Sequence, residues 1–268
     1  MPRLKNTMDI FKLLDKSNCG KCDAPTCLAF AAEVFKGQKQ IHECPHLDSE
    51  IIEKYGGKTA DRVTIEQERE AYVEQMKRKI AATDPSSRAQ KLGATFYNGK
   101  LTIKCLGKDF SVDTNGNIST DIHVHPWIAI PALTYILESA GLPPSGSWVP
   151  FRELKGGKNW YRLFGQRCER PLKKVADTYT DLFDDLIRLF NGKQVEKHYQ
   201  SDISLVLHPL PGVPMLICYW KPDEGLESDL NIFYDSTAEE NLKIEALYTL
   251  SAGLVIMFEK LSRRHGFK

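Results

Sequence analysis

Four of the seven cysteines of this 268-residue chain fall between residues 19 and 44, spaced C-x2-C-x4-C-x16-C with Pro45 directly after the last. A segment whose thiols serve one centre must curl back on itself, so this spacing restricts the local fold more than any helix or strand propensity. Structural zinc usually takes two similar knuckles of paired ligands. A cubane iron-sulfur cluster takes several thiolates from one tight loop and a further one from a distant point. The asymmetric spacing of Cys19, Cys22, Cys27 and Cys44 follows the second plan, with a four-cysteine zinc site as the alternative.

Local chemistry points the same way. Gly20 lets the backbone turn between Cys19 and Cys22, and Asp23, Ala24 and Pro25 form a compact turn that brings Cys27 round. From Thr26 the apolar positions Leu28, Phe30, Ala31, Val34 and Phe35 predict a short amphipathic helix closed by Gly37. Cys27 then lies on its first turn, where backbone amides and the helix dipole favour thiolate charge, with Lys16 and Lys21 flanking the loop. His42 and His46 flank Cys44 and could be ligands in the Rieske manner. With four thiols present, they read instead as exposed loop histidines beside the site.

Thiols clustered in this way suit a reducing compartment, where cysteines hold metal rather than disulfides, and the odd total agrees. Lys and Arg total 36 against 35 Asp and Glu, so no global field draws the chain to nucleic acid or an anionic membrane. The N-terminal "MPRLKNTMDIFKLL" lacks the pattern of a signal peptide, and no stretch is long and apolar enough for a membrane span. The expected location is the cytoplasm.

The stretches "NCGKCDAPTCLAFA" and "ECPHL" resemble the small 4Fe-4S module of the corrinoid iron-sulfur protein large subunit, and are similar to modules in B subunits of the Rnf-type electron-transport complex. That resemblance implies that Cys19, Cys22, Cys27 and Cys44 ligate one low-potential 4Fe-4S cluster that passes single electrons.

Past the module, "IEQEREAYVEQMKRKIAA" predicts a helix entered through a capping box of Thr64 and Gln67, with Ile65, Tyr72, Met76 and Ile80 near one side. Its interleaved charges read as a solvated face. Asn98-Gly99, Leu106-Gly107 and Asn115-Gly116 separate alternating apolar runs and predict an antiparallel meander. "HPWIAIPALTYILESAGLPP" predicts a helix ending by Gly141, "SGSWVPFREL" a strand or loop, and residues 171–192 one further helical run. Strands follow at "DISLVLHPL", "VPMLICYW" and "LNIFYD", then a closing helix from about Ala238 to Ser262.

The expected architecture is α+β: a small cysteine-rich iron-sulfur module over residues 1–57, a helical linker over 58–93, and a larger domain with antiparallel sheet and packed helices over 94–268. The stretches "YNGKLTIKCLGKDFSVD", "SWVPFRELKGG", "HPLPGVPMLICYWKPDEG" and "IFYDSTAEENL" resemble domain-of-unknown-function family 3786, described as iron-sulfur proteins. That family supplies no reaction.

Three features of the larger domain invite a functional reading. In "DIHVHPW", a strand would set Asp121, His123 and His125 on one face with metal-ligand chemistry. The stretch also half resembles the D-x-H-x-x-G loop that supplies an axial histidine to cobalt in cobalamin proteins. Pro126 stands at the glycine position, however, and suits the first residue of a helix better. Cys105, Cys168 and Cys218 are too scattered for a second cluster, and Cys218 lies inside an apolar strand where cysteine packs as a small hydrophobe. Arg152, Lys155, Lys158, Arg162, Arg167 and Arg170, with Trp160 and Tyr161, form a local basic stretch suited to an anionic ligand or an acidic partner, or else a solvated face. Gly156-Gly157 lacks the spacing and Lys-Ser/Thr ending of a phosphate-binding loop.

Together these features lead us to expect a redox protein of anaerobic metabolism, an electron-transfer protein more than a stand-alone catalyst. Its cluster would serve a bound cofactor, such as a corrinoid, or a partner such as a corrinoid protein or methyltransferase. The alternative is a ligand- or partner-binding protein whose cluster is structural or redox-sensing.

Overall fold

In the computed structural model, which describes residues 6–55, 65–122, 124–179 and 181–265, the chain divides into two units, Met1–Arg69 and Glu70–Lys268. The architecture is mixed α+β, with a helical cysteine-rich region followed by a larger part that holds two antiparallel sheets. Among the described residues, the first unit carries the short helices α1 (Thr7–Phe11), α2 (Cys27–Phe35) and α3 (Ser49–Tyr55) and a 3-10 turn at Ile41–Glu43. Helix α4 (Ile65–Ala81) runs through the point where the units divide. The expected capping residue Thr64 and the 57/58 boundary lie outside the described residues. In α4 the buried face is Val73, Met76 and Ile80, at the i, i+3, i+7 spacing of one helical side, whereas the anticipated Tyr72 is exposed.

Turn chemistry builds the first sheet. Strands β1 (Thr95–Tyr97), β2 (Lys100–Cys105), β3 (Lys108–Asp113) and β4 (Ile118–Thr120) form the expected meander in sequence order. Asn98 and Gly99 both have positive φ, +47° and +73°, as a two-residue type I′ turn demands. Leu106, at φ +50°, takes the same conformation at the next turn although it is a leucine. It is fully buried and its N–H donates to the His208 carbonyl at 3.1 Å, which offsets the backbone strain. Leu101, Ile103, Phe110 and Val112 alternate along β2 and β3 and bury one face.

The second sheet has the order β5-β9-β8-β7-β6, all antiparallel. Its members are β5 (Trp148–Pro150), β6 (Lys193–Gln194), β7 (Ile203–Leu210), β8 (Val213–Trp220) and β9 (Asp229–Asp235). Central β8 is buried almost throughout, as an apolar run without alternation requires. Helices α5 (Pro126–Glu138) and α10 (Ile244–His265) pack on each other within the same core.

Two anticipated helices are each broken in two. Residues 171–192 contain α7 (Arg170–Thr178) and α8 (Leu182–Phe190). Tyr179 is extended there, and its hydroxyl donates to the buried Asp185 carboxylate at 2.5 Å, a bond that a continuous helix would not place. The closing run divides into α9 (Ala238–Asn241) and α10 at Leu242. Buried Asn241 causes this break: its Oδ1 accepts from Ser139 Oγ and the Leu142 N–H, and its Nδ2 donates to the Leu142 and Gly212 carbonyls. Gly212 must be glycine in this network, because a Cβ there would lie 2.7 Å from Asn241 Nδ2 and 3.0 Å from the Tyr135 hydroxyl.

Candidate metal centre

The loop between α1 and α2 is wound by residues with positive φ: Lys16 (+62°), Asn18 (+52°), Gly20 (+71°) and Asp23 (+54°). Alternation of left-handed and ordinary residues coils the backbone tightly, and Asn, Asp and Gly are the types that adopt it at least cost. Cys19 and Cys22 ride on this coil. Cys19 is exposed and Cys22 buried. Lys39 reaches over to donate its Nζ to the Cys22 carbonyl and stands 3.8 Å from Glu33.

Thr26 caps α2, its Oγ1 accepting from the Ala29 N–H at 3.0 Å, so Cys27 is the first helical residue. At the other end Gly37, at φ +75°, donates to the Val34 carbonyl while Gln38 donates to that of Glu33, the paired bonds of a Schellman ending. Cys27, Phe30, Ala31 and Val34 form the buried face; Leu28, expected on it, is exposed. The chain returns through Ile41–Glu43, where the Gln40 N–H donates to Glu43 Oε1 at 2.6 Å, and this turn delivers Cys44.

Asn18 fastens this arrangement in a way that spacing alone did not reveal. Its backbone N–H donates to Cys27 Sγ at 3.3 Å, and its Oδ1 accepts the Cys27 N–H at 2.8 Å. Asp15 Oδ1 lies 3.9 Å from the same sulfur. The Ser17 N–H and hydroxyl hold the Asp15 carboxyl below its usual range, with smaller help from His46 and Cys27. Burial pushes the Cys44 thiol up; the His46 amide opposes this, while Cys22, Asp15 and Cys27 add to it. His42 and His46 are both exposed.

Cys22, Cys27 and Cys44 belong to one small core with Ile10, Leu14, Ala24, Phe30, Ala31, Val34, Ile41 and Leu47. All four thiols are free, and among the described residues no group of three or more His, Cys, Asp or Glu side chains is arranged to hold a metal ion. A cubane takes each thiolate on a different iron, with the sulfurs further apart than around one ion. The donor chemistry suits such a group: soft sulfur ligands, amides aimed at sulfur, and an apolar surround that leaves a free thiolate poorly stabilised.

The remaining candidates are placed apart from this loop in sequence. Strand β4 stops at Thr120, so Asp121 lies in a bend and not on a strand face, and His123 lies outside the described residues. The Thr120 hydroxyl accepts the Ile122 N–H and turns the chain there. His125 caps α5, its Nδ1 accepting from the Trp127 N–H at 3.3 Å, and Pro126 is the first helical residue. Cys105, Cys168 and Cys218 are fully buried, and burial pushes Cys105 to about 12 and raises the other two. In the basic stretch, Gly157 has no room for a side chain, since a Cβ would fall 2.0 Å from the Phe151 carbonyl oxygen. That packing, rather than phosphate binding, accounts for the glycine pair.

Known proteins divide the chain in a similar way. Residues 14–46 match a family model described as "Putative Fe-S cluster", which makes this segment an iron-sulfur module. The same end of the chain is similar to the acetyl-CoA decarbonylase/synthase complex subunit gamma of Methanocaldococcus jannaschii, 44% identical over 54 residues, covering 20% of this chain and 11% of that protein. The Methanopyrus kandleri subunit gamma is 41% identical over 49 residues, covering 18% and 11%. The corrinoid/iron-sulfur protein large subunit of Moorella thermoacetica is 45% identical over 40 residues, covering 15% and 9%. This chain thus spans about a tenth of the curated relatives it matches. No solved structure matches it significantly. No helix among the described residues is long and apolar enough to cross a membrane. A second model, described as "Domain of unknown function (DUF3786)", matches residues 84–257, most of the chain, and the protein belongs to that family.

Proposed function

We propose that Cys19, Cys22, Cys27 and Cys44 hold one 4Fe-4S cluster and that the protein carries single electrons to a bound cofactor or a redox partner. The observation that carries this reading is the concentration of three buried thiols and one exposed thiol on a single coiled loop, helix start and return turn within an iron-sulfur module. When bound, such a cluster supplies a centre that takes up and releases one electron. The chain's own residues do the rest. Burial favours the protonated thiol at Cys44, so ligation there releases a proton. The Asn18 amide donates to the Cys27 sulfur and stabilises added negative charge. Exposed Cys19 marks the side on which an electron enters or leaves.

The likeness of the module to a corrinoid iron-sulfur subunit supports a corrinoid protein or methyltransferase as the partner. Visible absorption of the native protein tests the first step. A broad brown absorption with about four irons and four sulfides per chain supports the cluster, and sharp additional bands would reveal a corrinoid in this chain. Colourless protein containing stoichiometric zinc would overturn the reading.

One observation favours a second role for the same group. Three of its thiols, Cys22, Cys27 and Cys44, are part of the small unit's own core, so the cluster also holds that unit together. Cys27→Ala separates sensing from relay: partner binding lost together with the cluster means sensing, whereas retained binding with lost electron transfer means relay.

A further inference from the structure

The helical run that carries the basic stretch departs from α geometry at one place. Between α6 (Gly157–Phe164) and α7 the residues Gly165–Glu169 form a π turn, with the Arg170 N–H bonded back to the Gly165 carbonyl. Such turns are rare and occur frequently where a functional site is built. This one has two consequences. It directs Glu169 to β9, where Oε1 accepts the Ile232 N–H at 3.2 Å; β5 pairs only with Phe233–Asp235, so the preceding half of β9 has no strand on that side among the described residues. It also borders a cleft of about 390 Å³ whose lining includes Tyr161, Arg162, Gln166, Glu169, Arg170 and Asn231. That volume lies within the range of small-molecule sites.

Gly165 keeps the floor open. A Cβ built there meets only Glu169 Oε2, at 3.6 Å. The charges around the cleft are unequally engaged. Lys173 is held by Asp177 at 3.0 Å, and the Asp229 carboxylate already accepts from the Leu230 N–H and Asn231 Nδ2. Arg162 and Arg170 are exposed and have no ion pair among the described residues. Burial raises the Glu169 carboxyl, with Asp229 adding to the effect and the Ile232 N–H and Arg152 opposing it, and its Oε1 is already engaged by the Ile232 N–H. Tyr161, half exposed, offers a ring at the rim.

We propose that this cleft binds a small organic anion, its carboxylate or phosphate oxygens held by the guanidinium groups of Arg162 and Arg170 and its carbon skeleton laid against Tyr161. Forked guanidinium donors suit the paired oxygens of either group. The site would give the larger unit a ligand of its own, independent of the iron-sulfur reading.

Calorimetric titration of the full-length protein at low salt tests it, with malonate as the carboxylate probe and inorganic pyrophosphate as the phosphate probe. The expected result is saturable one-site binding of at least one probe, and the one bound more tightly identifies the anion class. The double variant Arg162→Gln/Arg170→Gln should weaken that binding at least tenfold, while Arg263→Gln, an exposed arginine on α10, should leave it unchanged. Gly165 has φ −57° and ψ −40°, open to any residue, so Gly165→Leu should abolish binding by filling the floor while thermal unfolding stays cooperative. Absence of saturable binding for both probes, or unaltered binding in the double arginine variant, would overturn the proposal.

Discussion

The core of the smaller unit contains Cys22, Cys27 and Cys44 beside a few aliphatic side chains and Phe30, whereas the larger unit closes two sheets and long helices over a continuous apolar core. A chain segment under about 70 residues buries a smaller share of its surface and is marginally stable by its core alone, so a metal, a disulfide or a partner adds much to it. The larger unit has no such deficit. The contrast teaches that the same residue type has different surroundings in each: the small unit gathers its thiols on a coiled loop, a helix start and a return turn, where we propose they ligate a cluster, while Cys105, Cys168 and Cys218 in the large one are buried packing.

The most severe way to break this contrast is Cys27→Ala. Iron and sulfide should fall to background, and hydrogen exchange should show lost protection across residues 6–55 while β7 to β9 keep theirs. Equal loss of protection in both units would remove the distinction. The reciprocal change is Leu247→Ala in the buried face of α10, which should destabilise the larger unit by roughly 2–5 kcal/mol, read as a lower denaturant midpoint. The iron content of the folded protein should not change.

Acid titration sharpens the comparison inside the larger unit. Burial works against ionised Asp235, but donors at Ser145, Gly146 and Thr237 outweigh it and hold its pKa below the ordinary value. Its contribution to stability is therefore present above about pH 3.9, the usual carboxylate value, and disappears as the pH falls through the lowered one. Asp235→Asn should cost roughly 1.5–3 kcal/mol at neutral pH and flatten the acid limb of the stability curve measured by circular dichroism.

The smallest expected effect concerns Asn18. Asn18→Gly preserves the positive φ and the amide aimed at Cys27, so the reduction potential should stay near that of the parent. Asn18→Ala strains that amide and should shift the potential to a more negative value, because hydrogen bonds to sulfur stabilise the reduced state. Identical potentials in the two variants would show that the amide has no influence.

Much of the fold was legible where a local rule met a single outcome. Asn98-Gly99 specified its turn, the run "VPMLICYW" its buried strand, and Thr26 with Gly37 both ends of α2. What escaped notice depended on distant partners. The break at Leu242 needs Asn241 to meet Ser139, Leu142 and Gly212, and the break before α8 needs Tyr179 to meet Asp185, neither of which periodicity encodes. Leu28 and Tyr72 fell on the wrong faces because short apolar patterns leave the helix phase uncertain by one position. At the candidate centre, the cysteine spacing was visible at once, but the Asn18 clamp was not. Its signal was only an asparagine before Cys19, a residue type that tolerates left-handed backbone. The π turn left no sequence trace beyond Gly165.

The most direct test of the central claim is an EPR-monitored redox titration of full-length protein purified anaerobically. A signal that appears on reduction, integrates to one spin per chain and follows a one-electron curve is the predicted result. A preparation with intact iron and sulfide but no reducible signal would contradict electron transfer and leave the thiols a structural role.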